Sequence, residues 1–90
     1  MTTDVAPRAD LAIPPGEFLR EELAARRLSQ RQFAAQMGRS VQAISDVIGA
    51  RRAISPALAL DFERVLRASA EFWLNLEARY QLTLLRKHSA

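Results

Sequence analysis

The side chains best suited to chemistry lie between Gln30 and Gly49, in the stretch QRQFAAQMGRSVQAISDVIG. In the major groove of DNA, a glutamine amide can pair with adenine, and a serine hydroxyl can bond to either base type or to phosphate. A carboxylate fits there only where it accepts from cytosine or pairs with an arginine. The second half of the stretch predicts a helix that offers these groups to base edges. Its exposed positions are expected to be Ser40, Gln42, Ala43, Ser45 and Asp46.

Arginines flank this predicted recognition helix. Arg39 precedes it, Arg51 and Arg52 follow it, and Gln30 opens the helix before it. Guanidinium groups bind phosphate oxygens, and the free N–H groups at the start of a helix do so too. One arginine in such a place is often just solvated surface. Three around one helix are better explained as phosphate contacts that hold a DNA duplex in register.

The element that would position these groups is a helix-turn-helix. Gly38 permits a left-handed turn between two apolar-periodic runs, and the small Ala34 lets the two helices cross closely. Ile44 then anchors the second helix in the core, a combination that a single broken helix does not require. Ser40 is expected to cap this helix whether or not it also contacts DNA. Ser45 is either a DNA contact or simply an exposed surface residue.

The rest of the chain also predicts helices. Ser29 caps the helix that opens the motif, with Gln32 as its capping-box partner. Three further helices are expected at Pro15 to Arg27, from Pro56 after the cap Ser55, and from about Ala70 to Arg86 after the cap Ser69. No segment alternates with the period of a strand, so the predicted fold class is all-α with five helices. The buried stripe of the third helix is expected to be Val41, Ile44, Val47 and Ile48.

The chain has 90 residues, which predicts one small domain. We expect this domain at residues 14–87, after a flexible arm at 1–13 and before a frayed tail at 88–90. The net charge is +3, and the excess lies in residues 39–90, where eight basic residues stand against five acids. Twelve of the thirteen basic residues are arginine, which suits phosphate binding, although a GC-rich genome would favour arginine as well.

The inventory of reactive side chains indicates a protein that is not an enzyme. His88 is the only histidine and lies in the expected tail, cysteine is absent, and no glycine-rich loop follows a strand. No cofactor and no metal site are therefore expected. The N-terminus lacks a signal-peptide pattern, and no apolar run approaches the ~18 residues of a membrane span. We expect a cytoplasmic protein without a membrane partner.

The last predicted helix, at about residues 70–86, carries two apolar stripes at about 100° per residue. The first stripe consists of Trp73, Leu76, Tyr80 and Leu84. The second, on roughly the opposite side, consists of Leu74, Ala78, Leu82 and Leu85. Because one stripe can cover the core, the other needs a second protein surface, and an identical subunit is the simplest choice. Such a dimer would match a palindromic DNA site. The alternative to a dimer is a tightly packed final helix that leaves a few leucines exposed.

A family resemblance is carried by four segments: PPGEFLREEL at 14–23, LSQRQFAAQMG at 28–38, ISDVIGARRAISPALAL at 44–60 and SAEFWLNLEARYQL at 69–82. Together they resemble the HigA, or VapI-like, antitoxins of the XRE/Cro helix-turn-helix group over residues 13–86. The resemblance implies a five-helix, lambda-repressor-like domain. Pro14 departs from the histidine that usually opens the H-P-G start of such proteins, which puts in doubt only a role for that histidine.

The resemblance also implies a function, that of the antitoxin in a type II toxin–antitoxin system of the HigBA kind. Such a protein represses its own operon as a sequence-specific DNA-binding homodimer, and it neutralises a RelE-like toxin that cleaves mRNA. Family likeness places the DNA contacts on a set of residues in and around the predicted motif: Gln30, Arg39, Ser40, Gln42, Ala43, Ser45, Arg51 and Arg52. A stand-alone XRE-family repressor without a toxin is the alternative, and a helical protein-binding module that has lost DNA binding is a third reading.

The candidate toxin contact is an acidic group on the first helix, formed by Glu17, Glu21 and Glu22. An RNA-cleaving toxin is expected to be basic, so charge complementarity favours this helix. Acidic residues in the first turn are also stabilised by the helix dipole, which would explain the same glutamates without a partner.

Overall fold

The computed structural model describes residues 11–89, so positions 1–10 of the predicted arm and position 90 of the predicted tail lie outside the described residues. The described chain folds into five helices: α1 (Pro15–Ala25), α2 (Gln30–Met37), α3 (Val41–Ile48), α4 (Pro56–Leu66) and α5 (Ala70–Ser89). The predicted all-α fold class is confirmed for this part of the chain. Helix α5 continues to Ser89, past its predicted end at Arg86. None of the described helices is both long and apolar enough to cross a membrane.

Serine side chains begin four of the five helices, as predicted. The hydroxyl of Ser29 accepts from the backbone N–H of Gln32 at 3.0 Å, and Oε1 of Gln32 accepts from the N–H of Ser29 at 2.8 Å, which forms the capping box. Equivalent hydroxyl caps at 3.2, 3.2 and 3.1 Å are made by Ser40, Ser55 and Ser69. Each cap satisfies an N–H group that has no partner within the helix and stabilises the helix by about 1 kcal/mol.

Aromatic side chains from three helices meet in the core. Phe33 of α2, Phe62 of α4 and Trp73 of α5 are all 0% exposed. Their ring centroids lie 5.6 Å apart for Phe33 and Phe62 and 5.2 Å apart for Phe62 and Trp73. Leu19 of α1 and Ile44 of α3 are equally buried. All five helices therefore share one core, and each fully buried apolar side chain contributes about 1.5–3 kcal/mol.

Helix α1 approaches α3 backbone to backbone at Gly16. A Cβ added to Gly16 would lie 2.7 Å from Cα of Ile48 and would overlap the carbonyl oxygen of Val47. Only glycine fits between the two helices at this point, which explains the glycine in the segment PPGEFLREEL. The N-terminal turn of α1 rests in this way on the C-terminal end of α3.

Candidate nucleic-acid interface

Helices α2 and α3 and the turn between them form the predicted helix-turn-helix. Gly38 ends α2 with φ 70° and ψ 31°, the left-handed conformation that favours glycine. Its N–H donates to the carbonyl of Ala35 at 3.2 Å, and the N–H of Arg39 donates to the carbonyl of Ala34 at 3.0 Å. Ala34 is 2% exposed and Ile44 is 0% exposed. The structure places Gly38 at the turn and the other two scaffold residues where the helices pack.

The outward face of α3 differs from the predicted one at two positions. Ala43, predicted to be an exposed base contact, is only 6% exposed, whereas Val41, predicted to be buried, is 44% exposed. These two residues lie on opposite edges of the stripe around Ile44, at about 100° per residue, and the core covers the Ala43 edge. The methyl group of Ala43 is therefore not offered to a base. Gln42 is exposed and Asp46 is half-buried on the outward face.

Asp46 connects the other polar groups of this face. Its Oδ1 accepts from Nε2 of Gln42 at 2.8 Å and from Nε of Arg51 at 3.3 Å. Nη2 of Arg51 also donates to Ser45, to the backbone carbonyl at 3.3 Å and to the hydroxyl at 3.5 Å. Gln42 and Asp46 meet because residues four apart are neighbours on a helix surface. We call Gln42, Ser45, Asp46 and Arg51 the Asp46 cluster.

Gly49 leaves the space that the Asp46 cluster needs. A Cβ added to Gly49 would lie 2.9 Å from Cζ of Arg51 and would overlap its Nη1. The backbone of Gly49 itself is not left-handed, with φ −84°, and the left-handed residue after α3 is Ala50, with φ 60°. Glycine is useful at position 49 because Arg51 folds back over the end of α3. There the positive charge also faces the negative end of the helix dipole.

Arg39, predicted to contact phosphate, forms an ion pair with α4. Its Nε donates to Oδ2 of Asp61 at 2.7 Å, and the two side chains are only 27% and 26% exposed. The hydrogen bond from Arg39 holds the pKa of Asp61 below its usual value, although partial burial acts in the opposite direction. Arg64 adds a second ion pair to Asp61 at 3.4 Å. The pair between Arg39 and Asp61 fastens the turn of the motif to α4.

Three other predicted DNA contacts lie on the surface. Gln30 is exposed at the first position of α2, Ser40 is exposed at the N-cap of α3, and Arg52 is exposed in the segment after α3. Ser45 is half-buried beside Arg51. Helix starts, arginines and serine hydroxyls are among the protein groups that bind phosphate oxygens, and these residues lie in α3 or close to it in the sequence.

The sequence pattern did not predict the residue that holds the segment carrying Arg51 and Arg52. Glu77 of α5 is 9% exposed, and its Oε1 accepts from the backbone N–H of Ile54 at 2.9 Å. Its Oε2 accepts from Nε2 of Gln81 at 2.7 Å. The sequence did contain a signal for Glu77, which lies on the first apolar stripe of α5. A carboxylate at such a buried position is rarely found without a hydrogen-bond donor.

The second stripe of α5 is unevenly exposed. Leu82 is 46% exposed, Leu85 is 62% exposed, and Ala78 is also exposed, whereas Leu74 is half-buried and packs against the core. The C-terminal half of this stripe is thus the part that remains on the surface of one chain.

The three glutamates of α1 differ in their surroundings. Glu17 pairs with Arg20 at 3.5 Å, Glu22 pairs with Arg26 at 3.2 Å, and Glu21 is exposed. Both ion pairs join residues three or four apart, the first within α1 and the second between α1 and its C-cap, Arg26. The local arginines therefore offset much of the negative charge that the sequence places on α1.

Comparison with known proteins gives relatives in sequence and in structure, although no family model matches the chain. Virulence-associated protein A of Dichelobacter nodosus is 41% identical over 49 residues, which cover 53% of this chain and 48% of that protein. The match thus spans about half of that relative.

Solved structures match over more of the chain. An addiction module antidote protein of the HigA family from Coxiella burnetii is 31% identical, with a TM-score of 0.82 over 86% of this chain and 85% of that one. The Pseudomonas aeruginosa antitoxin HigA, in a structure with the higBA promoter, is 32% identical, with a TM-score of 0.83 over 87% of this chain and 86% of that one. With five helices among residues 11–89 and a helix-turn-helix, the chain belongs to the HigA family of antitoxins in the XRE group.

Proposed function

We propose that the protein is a sequence-specific DNA-binding repressor of its own operon and the antitoxin of a HigBA-type pair. The observation that carries the DNA-binding part is the outward face of α3, where the exposed Gln42 is followed by Asp46 and the flanking Arg51. Short polar side chains on a second motif helix with arginine beside it match the way such helices enter a major groove. The related HigA of Pseudomonas aeruginosa, solved with the higBA promoter, supports the proposal of DNA binding.

The residues have different parts in this proposal. Gln42 and Ser45 contact base edges, and Ser40 combines its cap with a contact to base or phosphate. Arg52 and the start of α2 at Gln30 bind phosphates on either side of the groove. Arg39 acts indirectly, because its ion pair with α4 keeps the turn in place.

A homodimer completes the repressor. The exposed part of the second stripe of α5, Ala78 to Leu85, would be covered by the same surface of an identical chain. A two-fold axis through that contact would set two copies of α3 about 34–36 Å apart, one helical turn of DNA. A palindromic operator is the matching site.

Toxin neutralisation is the second part of the proposal, with a RelE-like toxin that cleaves mRNA as the partner. Helix α1 is the candidate contact, through Glu17, Glu21 and Glu22. Glu21 is exposed and has the freest charge, while the other two share theirs with arginines. A basic toxin surface would meet these groups across an interface whose rim is charged.

A titration with two DNA duplexes tests the repressor function. The protein is titrated against the DNA upstream of its own gene and against a scrambled duplex, each at two salt concentrations. We expect the upstream DNA to bind about 10³-fold or more tightly at physiological salt. Equal binding to both duplexes, with a steep salt dependence, would show sequence-blind attraction to phosphate and would end the repressor proposal.

A growth assay tests the antitoxin function separately. If a short open reading frame beside the gene encodes a basic RelE-like protein, that protein is expressed with and without the antitoxin. We expect growth arrest by the toxin alone and recovery when both are made. Reversal of Glu21 to Lys should weaken that recovery and leave DNA binding unchanged. A repressor that binds its operator but protects from no neighbouring protein would be a stand-alone XRE-family regulator.

A further inference from the structure

The amide of Gln42 has one orientation beside Asp46. An ionised carboxylate accepts hydrogen bonds and donates none, so the amide atom 2.8 Å from Oδ1 is the NH₂ nitrogen. The amide oxygen Oε1 must then point away from Asp46, and no hydrogen bond within residues 11–89 engages it. One of the two hydrogens on Nε2 also remains available. The exposed edge of Gln42 thus presents an acceptor beside a donor in a fixed order.

Asp46 is itself held in place. Nε of Arg51 donates to the same Oδ1 at 3.3 Å, and Arg51 is fastened to the carbonyl of Ser45 at 3.3 Å. Gly49 leaves the room for that guanidinium. The arginine also offsets the negative charge, which allows a carboxylate on this face to lie near DNA phosphates.

We infer that Asp46 is a positioning residue that fixes the polarity of the Gln42 amide and thereby selects adenine at the base pair that Gln42 faces. This inference rests on the proposed DNA-binding function. Adenine presents its N6 donor beside its N7 acceptor, which matches Oε1 and the remaining N–H of Gln42. Guanine presents two acceptors, O6 and N7, and thymine presents an acceptor and a methyl group. A flipped amide would turn its NH₂ group toward O6 of guanine or O4 of thymine and could donate one hydrogen bond there, whereas the carboxylate opposes the flip.

The test is the substitution Asp46→Asn in the full-length protein. Asparagine has nearly the same shape, but it offers both a donor and an acceptor, so the Gln42 amide can take either orientation. The upstream DNA is varied one base pair at a time to all three alternatives, and binding is measured for wild type, Asp46→Asn and Gln42→Ala. Gln42→Ala identifies the position that Gln42 reads, because discrimination is lost there.

At that position we expect the wild type to prefer adenine by about tenfold or more, as a bidentate contact does. Asp46→Asn should reduce this preference to about twofold and leave the preferences at other positions unchanged. Affinity for scrambled DNA should stay equal or rise, because a negative charge near the phosphates is removed. Glu71→Gln is the control, since it also replaces an acid by its amide but lies exposed on α5, outside the motif. Glu71→Gln should leave the base profile unchanged.

Three results would overturn the inference. The first is an Asp46→Asn profile identical to that of wild type, and the second is a uniform loss at every position, which a purely structural role would give. The third is a change at a base pair other than the one assigned to Gln42, because Asp46 would then read a base directly. If Asp46→Asn is unfolded at the temperature of the assay, Asp46→Ser provides a second variant. A wild type that does not distinguish its upstream DNA from scrambled DNA would instead remove the proposed repressor function itself.

Discussion

The carboxylate of Glu77 lies 2.9 Å from the backbone nitrogen of Ile54, which precedes it by 23 residues. Helix α5, whose second stripe we propose as the dimer contact, therefore directly holds the segment between α3 and α4. That segment carries Arg51 and Arg52, and its anchor is buried, with Ile54 3% exposed and Glu77 9% exposed. The position of the basic groups beside α3 thus depends on a side chain of the last helix.

Replacement of Glu77 by Ala should destabilise the protein and weaken DNA binding. The buried N–H of Ile54 would lose its acceptor, which costs about 1–3 kcal/mol in the free energy of unfolding. For a domain of this size each 1 kcal/mol lowers Tm by roughly 4–8 °C. Thermal unfolding and a DNA titration well below Tm check this prediction. Glu71→Ala, an exposed acid on the same helix, is the control, and equal melting of the two variants would contradict the anchoring role.

Gly16→Ala should be more harmful than Gly49→Ala. At Gly16 the new methyl group meets the backbone of Val47 and Ile48, which cannot move aside, whereas at Gly49 it meets only the flexible end of Arg51. Overpacking of this kind costs about 1–3 kcal/mol, and we expect Gly16→Ala near the upper end. Chemical unfolding measures both variants. Gly49→Ala should keep its stability but lose sequence discrimination, because the methyl group displaces Arg51. A Gly16→Ala variant as stable as wild type would contradict the prediction and show that α1 can move away from α3.

The ion pair between Arg39 and Asp61 should make stability depend on pH in the acid range. The pKa of Asp61 is lowered in the folded state, chiefly by the hydrogen bond from Arg39. Its contribution is therefore fully present above the unfolded-state pKa of about 3.9 and is lost as the pH falls through the lower folded value. Unfolding free energies of wild type and Asp61→Asn should differ most near neutral pH and converge in acid. A difference that is constant at all pH values would mean that the charge on Asp61 does not contribute to stability.

The double change Leu82→Glu and Leu85→Glu should give a folded monomer. Both side chains are already largely exposed in one chain, at 46% and 62%, so the fold itself should tolerate charge there. In a dimer the partner chain would cover both glutamates, and burying these like charges at the interface would weaken association. Sedimentation or light scattering gives the oligomeric state, and circular dichroism checks the fold. Leu60→Glu, at a leucine 60% exposed on α4, is the control and should stay dimeric. A dimer in both variants would remove this stripe as the interface.

Arg52→Ala and Gln42→Ala should affect DNA binding differently. Arg52 is proposed to bind phosphate, so its loss should weaken binding to all duplexes alike and make the salt slope shallower by about one. Loss of Gln42 should cost about 1–3 kcal/mol on the upstream DNA and little on scrambled DNA. Titrations at several salt concentrations separate the two effects. Parallel losses on both duplexes for Gln42→Ala would show that it reads no base.

The fold could be predicted from the sequence because its signals are local. Serine caps, the left-handed Gly38 and the apolar periodicity of each helix act within a few residues. The same signals determine which residues of α2 are buried, among them Phe33 and Ala34. Consistency among caps, turn and periodicity is what makes such a pattern dependable.

The errors and omissions come from contacts between helices. Periodicity predicts the direction of the buried face of α3, but the neighbouring helices decide which edge of that face is covered. For this reason Ala43 is buried and Val41 is exposed, the reverse of what the sequence predicted. The residues next to Arg39 in the sequence give no sign of its partner, because Asp61 lies 22 residues away on another helix. Local spacing cannot reveal such pairs. The reason for Gly16 was hidden in the same way, because it depends on the backbone of a different helix.

The close approach of Gly16 to Val47 and Ile48 has a mechanical consequence. Small displacements in proteins are usually absorbed by changes of side-chain rotamer, and at this point no side chain stands between the two backbones. A molecule that tilts α1 must therefore shift the end of α3 as well. The direct backbone contact at Gly16 therefore connects the helix proposed to bind the toxin to the helix proposed to bind DNA, so that a movement of one is passed to the other.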